Sequence, residues 1–224
     1  MSSSRNGHPN AKLAPKAVVG RVSLYLRQLE ALQVQGLDKI SSRQLGEPFA
    51  IKNAQVRKDL AFFGQFGHPG IGYHVDGLIT VLREILGVDK DWPLALVGLG
   101  NLGRALLKYR GFRSRRFKIV AIFDNDPRKI GQEHDGMIVE PIEALRSSVA
   151  SHKTSLALLC VPAESAQHVA DVMVAGGIRG ILNFAPAPLS VPPHVNVAAV
   201  DLSIQLENLA YNVQKTQDGV SWAG

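Results

Sequence analysis

The residues most able to do chemistry lie together at Gly98-Leu99-Gly100-Asn101-Leu102-Gly103, a G-x-G-x-x-G run with the spacing of a loop that receives a phosphate. The run follows an apolar segment, LALVG at 94–98, and opens a helical pattern; Asp124 ends the next apolar segment 21 residues after Gly103. Strand, glycine loop, helix, strand and acid in that order make a dinucleotide-binding crossover. The three glycines do different things. Gly98 allows the tight turn, Gly100 lets backbone approach a pyrophosphate, and Gly103 lets the helix close on the strand. The pyrophosphate would rest on the helix N-terminus, where free N–H groups and the helix dipole favour an anion. Asp124 would accept hydrogen bonds from the adenine ribose hydroxyls and repel a 2′-phosphate, which favours NAD(H) over NADP(H); Arg128 and Lys129 just downstream act the other way. Asp126 joins this set, as do Val161, Pro162, Asn183 and Phe184, which stand where two further strands end.

The chain carries no pattern of catalytic residues, so no enzyme is expected. Its seven histidines are scattered, and none ends a core strand beside a carboxylate as hydride-transfer acid/base chemistry requires. His168 lies on a helical pattern and reads as a surface or packing histidine. No Cys/His cluster has ligand spacing, so no metal site is expected. The single cysteine, Cys160, sits in the apolar run LALLCVP; it reads as a small buried hydrophobe and fits a reducing compartment.

The elements that must hold the glycine loop follow from periodicity. Strands are expected at 94–98, 117–124, 137–140, 155–162, 180–186 and 196–201, with helices after the loop to Tyr109, from Ile142 and from Glu164. Strands apolar on both faces and alternating with helices make a doubly wound, parallel α/β sheet covered on two sides. A last helical segment keeps Leu202, Leu206, Leu209 and Val213 on one face, with no further strand for it to cover.

Upstream the pattern is helical. A stripe of Val18, Val22, Leu26 and Leu29, widened by Val19, Tyr25 and Leu32, runs from Pro15 to a stop at Gly36. Ser41 and Gln44 have the spacing of a capping box on a short second helix ending before Pro48. A third helix should run over 53–63, with Val56, Leu60 and Phe63 inward; Lys52 offers no capping side chain, which puts its start at Asn53. The segment QFGHPGIGYHV reads as a tight hairpin or wing, and 75–86 as a connecting helix. The expected division is a flexible tail over 1–14, a helix-turn-helix module over 15–87, a Rossmann-type domain over 88–200 and a terminal helix and tail over 201–224.

Charge separates the two modules. Residues 1–75 hold ten Lys/Arg against four acids, and the remainder holds fifteen of each. A basic excess confined to the helical third fits a module that meets a polyanion; a merely solvated lysine-rich surface is the other reading. With 46% hydrophobic and 20% charged residues the composition is that of a folded globular chain, and no apolar run reaches the roughly 18 residues of a membrane span. The polar first fifteen residues contain no signal-peptide core, so the expected location is the cytoplasm.

YLRQLE (25–30), SSRQLGE (41–47), QVRKDLAFFGQFG (55–67), GIGY (70–73), GLGNLGRAL (98–106), FDNDPRKIG (123–131) and VDLSIQLENL (200–209) together resemble the Rex family of bacterial redox-sensing transcriptional repressors. The resemblance implies an N-terminal winged helix, an NAD(H)-binding Rossmann domain and a C-terminal helix exchanged between the subunits of a homodimer. It implies a repressor that holds palindromic operator DNA when NADH is scarce and is released when NADH accumulates. In the third helix Gln55 and Arg57 are placed to reach base edges, with Lys52 and Lys58 on phosphates; Arg21, Arg43, Asn53, Tyr73 and His68 complete the expected DNA set. Family members often carry a basic wing tip where this chain has His68-Pro69.

The resemblance also implies a link between the modules through an arginine, a tyrosine and an aspartate, here Arg27, Tyr109 and Asp201. Some members carry a second arginine where this chain has Asn101. Asp201 has two readings, a charge partner for Arg27 and a simple cap on the last helix. Leu202 is expected to meet the nicotinamide end of the cofactor across the dimer or to serve packing. Two rivals remain at this point: an NAD-dependent oxidoreductase with a basic appendage, for which too little chain follows Asp201 to build a substrate domain, and a CoA-binding domain, against which Asp124 argues.

Overall fold

The computed structural model describes residues 14–67 and 72–217, so the expected tails and His68 lie outside the described residues. The chain divides into two compact units, with the break between Lys90 and Asp91.

The first unit is built on α1 (Lys16–Val34), whose expected stripe buries Val22, Tyr25, Leu26 and Leu29. Helix α2 (Ser42–Gly46) opens with the capping box: the Ser41 hydroxyl accepts the Gln44 amide N–H while the Gln44 side chain accepts the Ser41 N–H. A 3-10 turn, Glu47–Phe49, takes up Pro48 and leads to α3 (Asn53–Ala61), which buries Val56 and Leu60. Helix α3 ends two residues before the expected Phe63, and Phe63 is half-buried beside it. Lys52 caps it through backbone conformation without a side-chain bond. Gly46 is dictated by this turn, because a Cβ there would fall on the Ile51 carbonyl.

Residues 68–71 of the expected hairpin or wing lie outside the described residues. Among the described residues, strand β2 (Tyr73–His74) is antiparallel to β1 (Lys39–Ile40), a two-residue strand too short to show a period. Gly67 lies against the Tyr73 ring, where a Cβ would collide with it. Helix α4 (Val75–Leu86) then lays Val75, Leu78, Ile79 and Leu82 on the α1 stripe and ends at Gly87 in the left-handed conformation.

The second unit is the expected parallel sheet. Its strands are β3 (Trp92–Val97), β4 (Phe117–Asp124), β5 (Glu133–His134), β6 (Met137–Pro141), β7 (Leu156–Leu159), β8 (Gly180–Asn183) and β9 (Asn196–Ala199). They lie in the order β5-β6-β4-β3-β7-β8-β9, all parallel except the hairpin strand β5. Successive residues of β3 serve opposite cores: Ala95 and Val97 pack with α7 (Leu145–His152) and α8 (Ala163–Ala175), while Leu94 and Leu96 pack with α5 (Asn101–Leu107). Burial on both faces explains why the strands read as continuous apolar runs. The chain leaves β3 for α5 and one half of the sheet, and β7 begins the other half, so the switch point lies at the C-terminal ends of these two strands. A four-residue helix α6 (Arg110–Arg113) and the β5 hairpin strand are additions to the expected elements.

Helix α9 (Leu202–Gln217) closes the described chain. Leu202, Leu206, Leu209 and Val213 lie 49–66% exposed, joined by Ile204 and Tyr211. No described helix is long and apolar enough to cross a membrane.

Candidate functional site

The glycine loop has the geometry its spacing predicts. Gly98 lies at φ +95°, and a Cβ on it would strike the carbonyl of Cys160 on the neighbouring β7 strand. A Cβ on Gly103 would strike the Gly98 carbonyl oxygen, so α5 closes on β3 only because residue 103 has no side chain. Gly100 is different. Its backbone is extended, and a Cβ there would meet nothing within 4 Å. Two glycines are therefore fixed by the fold, and the third faces open space.

That space is a cavity of about 440 Å³ at the switch point, lined by Gly98, Gly100, Asp124, Asp126, Val161 and Pro162 from the expected set. Lys129 also lines it, as do Glu164 and Ser165 from the loop expected after the strand that ends at Pro162; Asn125 and Cys160 line it without having been expected there. Asp124 has an internal role beyond the expected one. Its Oδ2 accepts the Leu99 N–H at 2.7 Å and the Lys129 ammonium at 2.9 Å, and its Oδ1 accepts the Asp126 N–H at 2.9 Å. Burial opposes ionisation of this carboxyl, but Lys129 and the amides of Asp126 and Leu99 outweigh it and hold the group below the ordinary carboxylate range. The acid thus locks the loop to the end of β4, and Lys129 balances its charge. Asp126 is half-buried and paired with Arg128 at 2.9 Å.

Asn183 and Phe184, both in the expected set, do not line this cavity. Asn183 is 1% exposed: its Nδ2 donates to the Ala187 carbonyl and its Oδ1 accepts the Ala185 N–H, so it shapes the 183–187 loop from within. Phe184 packs half-buried against the α5 side of the sheet. Leu99 is fully buried and offers the cavity side no side chain, while Asn101 and Leu102 are exposed on the first turn of α5. Burial pushes the Cys160 thiol up to about 12, so it stands in the cavity wall as a protonated thiol.

In the first unit Arg43, Lys52 and Asn53 line an open groove of about 580 Å³ with Glu47, Ala50, Ile51 and Ala54, across the turn between α2 and α3. Arg57 and Lys58 are exposed on α3, and Arg57 reaches the Ser42 hydroxyl at 3.3 Å. Tyr73 is half-buried, and Arg57 is near enough to oppose the upward push that burial gives its phenol. Arg21, expected at DNA, is instead committed to Asp59: Nε donates to Oδ2 at 2.6 Å and Nη2 to Oδ1 at 2.8 Å. Asp59 is buried and could not remain charged unpaired, which is why the guanidinium turns inward. Gln55 is half-buried and also donates to Asp59.

A family model described as "Putative DNA-binding protein N-terminus" matches residues 14–61, and one described as "CoA binding domain" matches residues 89–187. The curated redox-sensing transcriptional repressor Rex of Desulfitobacterium hafniense is 46% identical over 199 residues, covering 89% of this chain and 95% of that one. The Rex repressor of Pelotomaculum thermopropionicum is 47% identical over 202 residues, covering 90% and 95%. The chain belongs to the Rex family of redox-sensing transcriptional repressors.

Solved Rex structures agree. The crystal structure of RSP, a Rex-family repressor, superposes with a TM-score of 0.84 at 35% identity, covering 92% of this chain and 96% of that one. RSP in complex with β-NAD+ and operator DNA gives 0.87 at 36% identity, covering 92% and 95%. RSP with β-NADH gives 0.83 at 35%, covering 92% and 97%. The family is one of regulators, which removes the oxidoreductase alternative.

The three residues that the Rex resemblance assigned to coupling have distinct settings in this chain. Arg27 is exposed on α1. Tyr109 is 57% exposed, stacked edge-on to Phe112, with its ring lying where a side chain on Gly111 would sit. Asp201 caps α9, its Oδ1 accepting the Ser203 N–H at 2.9 Å and the Ile204 N–H at 3.4 Å. The cap is one of the two readings given to Asp201.

Proposed function

We propose that this chain is a homodimeric repressor that binds palindromic operator DNA through α3, takes NAD(H) into the cavity at the switch point, and leaves the operator when NADH binds. The observation that carries the proposal is the contrast within one loop. Gly98 and Gly103 are required by packing, whereas Gly100 faces open space that suits a pyrophosphate. Backbone amides at the start of α5 would meet the phosphates, Asp126 and Lys129 would frame the adenine ribose with Asp124 behind them, and Val161 and Pro162 would flank the dinucleotide.

Arg43, Lys52, Asn53, Arg57 and Lys58 would meet DNA, the lysines as phosphate contacts and Arg57 as a base contact. Arg21 supports α3 from behind. His68, at the expected wing tip, and Tyr73 complete the surface. Helix α9 supports the dimer: six large apolar residues left 49–66% exposed need a cover, and a helix exchanged with a second copy supplies it. Leu202 at its start would then bring an apolar side chain to the partner's nicotinamide.

The switch is a population shift. A dry, apolar site between subunits admits an uncharged reduced nicotinamide more readily than the cationic oxidised ring. NADH therefore favours a dimer whose α3 helices no longer match half-sites one helical turn apart. Arg27, Tyr109 and Asp201 would carry the shift between modules. Such a regulator works in the cytoplasm. The direct test is fluorescence anisotropy on a pool of labelled palindromic duplexes with NADH or NAD added: release by NADH supports the proposal, and binding of NADH without release refutes the coupling.

A further inference from the structure

The recognition helix is bolted to α1 through a carboxylate whose four acceptor positions are all filled. Asp59 Oδ2 accepts from Arg21 Nε at 2.6 Å and the Tyr25 hydroxyl at 2.9 Å; Oδ1 accepts from Arg21 Nη2 at 2.8 Å and Gln55 Nε2 at 2.7 Å. Arg21 and Tyr25 are one turn apart on α1, Gln55 and Asp59 one turn apart on α3. Asp59 is 1% exposed; burial alone would neutralise it, and the donors outweigh burial and keep it ionised.

An ionised carboxylate can only accept hydrogen bonds. Gln55 must therefore turn its NH2 group toward Asp59, which leaves its carbonyl oxygen and one N–H for other partners. We infer that Asp59 is a positioning residue that sets base specificity: it fixes the Gln55 amide so that the carbonyl leads into the major groove. An outward carbonyl pairs with the exocyclic amino group of adenine or cytosine, and it opposes the O6 of guanine and the O4 of thymine. This inference rests on the proposal that α3 reads DNA.

The test uses the full-length protein and a fluorescein-labelled palindromic duplex selected by the wild type from a randomised pool, with symmetric single-base-pair variants of it. At one position per half-site the wild type should prefer adenine or cytosine over guanine or thymine by about fivefold to a hundredfold. Asp59→Asn can donate as well as accept, so the amide is free to flip. The preference at that position should fall to within about twofold while the ratios at other positions hold. Gln55→Ala should flatten the same position. A merely structural Asp59 would weaken every duplex alike, and unchanged ratios in either variant overturn the inference.

If Asp59→Asn does not fold, two measurements on folding proteins decide: the Gln55→Ala profile, and the Gln55 side-chain amide resonances of the wild type. One slowly exchanging and one fast proton, with the flattened position, support it; two freely exchanging protons overturn it. Failure of the wild type to bind any duplex in the pool refutes the DNA-reading proposal itself, and this inference falls with it.

Discussion

Replacing Gly100 and Gly103 in turn by alanine separates space kept for a ligand from space closed by the fold. Gly100 has φ −78° and ψ −165°, open to any residue, and its added Cβ meets nothing within 4 Å. Gly100→Ala leaves native packing untouched and reduces the freedom of the unfolded chain, a gain of about 0.4–1 kcal/mol. At Gly103 the added Cβ lands on the Gly98 carbonyl oxygen, a backbone atom that cannot rotate aside. Overpacking of this kind costs about 1–3 kcal/mol, and a domain of this size loses roughly 2–4 °C in Tm per kcal/mol. A methyl group in the path of a pyrophosphate costs a similar amount, about five- to 150-fold in affinity. Fluorescence of Trp92, at the start of β3, follows unfolding, and the fluorescence of reduced nicotinamide follows binding. The expected result is a Gly100→Ala protein with unchanged or raised Tm and NADH affinity at least fivefold weaker, beside a Gly103→Ala protein with lowered Tm. Wild-type NADH affinity in Gly100→Ala would refute the assignment of the cavity.

Asp201→Asn keeps the cap on α9, since asparagine caps as well as aspartate, and removes the charge. NADH should bind within about twofold of wild type yet no longer release DNA; full NADH sensitivity by anisotropy would leave Asp201 as a cap alone. Arg21→Ala leaves the buried Asp59 charge without its bidentate partner and should lower the stability of the first unit by about 3 kcal/mol, read by far-UV circular dichroism in urea. The same carboxyl makes the first unit acid-labile. Its folded pKa lies below the unfolded value, so its contribution is complete above about pH 4 and is lost as pH falls through the folded pKa. A urea midpoint insensitive to pH between about 5 and 2 would contradict this. Cys160, with its thiol raised by burial, should react with iodoacetamide at least about a hundredfold more slowly at pH 8 in the folded than in the urea-unfolded chain; comparable rates would show an accessible thiolate.

Local rules were enough wherever a residue's neighbours in sequence decide its environment. The capping box at Ser41 and Gln44, the limits of β4 and the roles of Gly98 and Gly103 are of that kind. Strand β1 has two residues and β5 two, too few to display alternation, and each forms only because a partner lies beside it. The Arg21–Asp59 pair was not legible because a charged residue on a helix looks the same in sequence whether it faces solvent or a buried acid 38 residues away. A signal was present in the matched one-turn spacings of Arg21 with Tyr25 and Gln55 with Asp59. Asn183 ends a strand at the ligand-facing edge, and only the loop that returns to Ala185 and Ala187 shows that its amide is used internally. Lys129 was read only as a cation near the 2′ position, and its ion pair with Asp124 five residues before it appears only in the fold.

The central claim is that one ligand-bound state of the nucleotide module sets the DNA affinity of the other module. It is tested most directly by measuring the dissociation constant of the selected palindromic duplex with no nucleotide, with saturating NAD and with saturating NADH. The account predicts close values for the first two and at least about tenfold weaker binding with NADH, the fold-change that about 1.4 kcal/mol of coupling produces. Equal DNA affinity in all three, with NADH demonstrably bound, would contradict it.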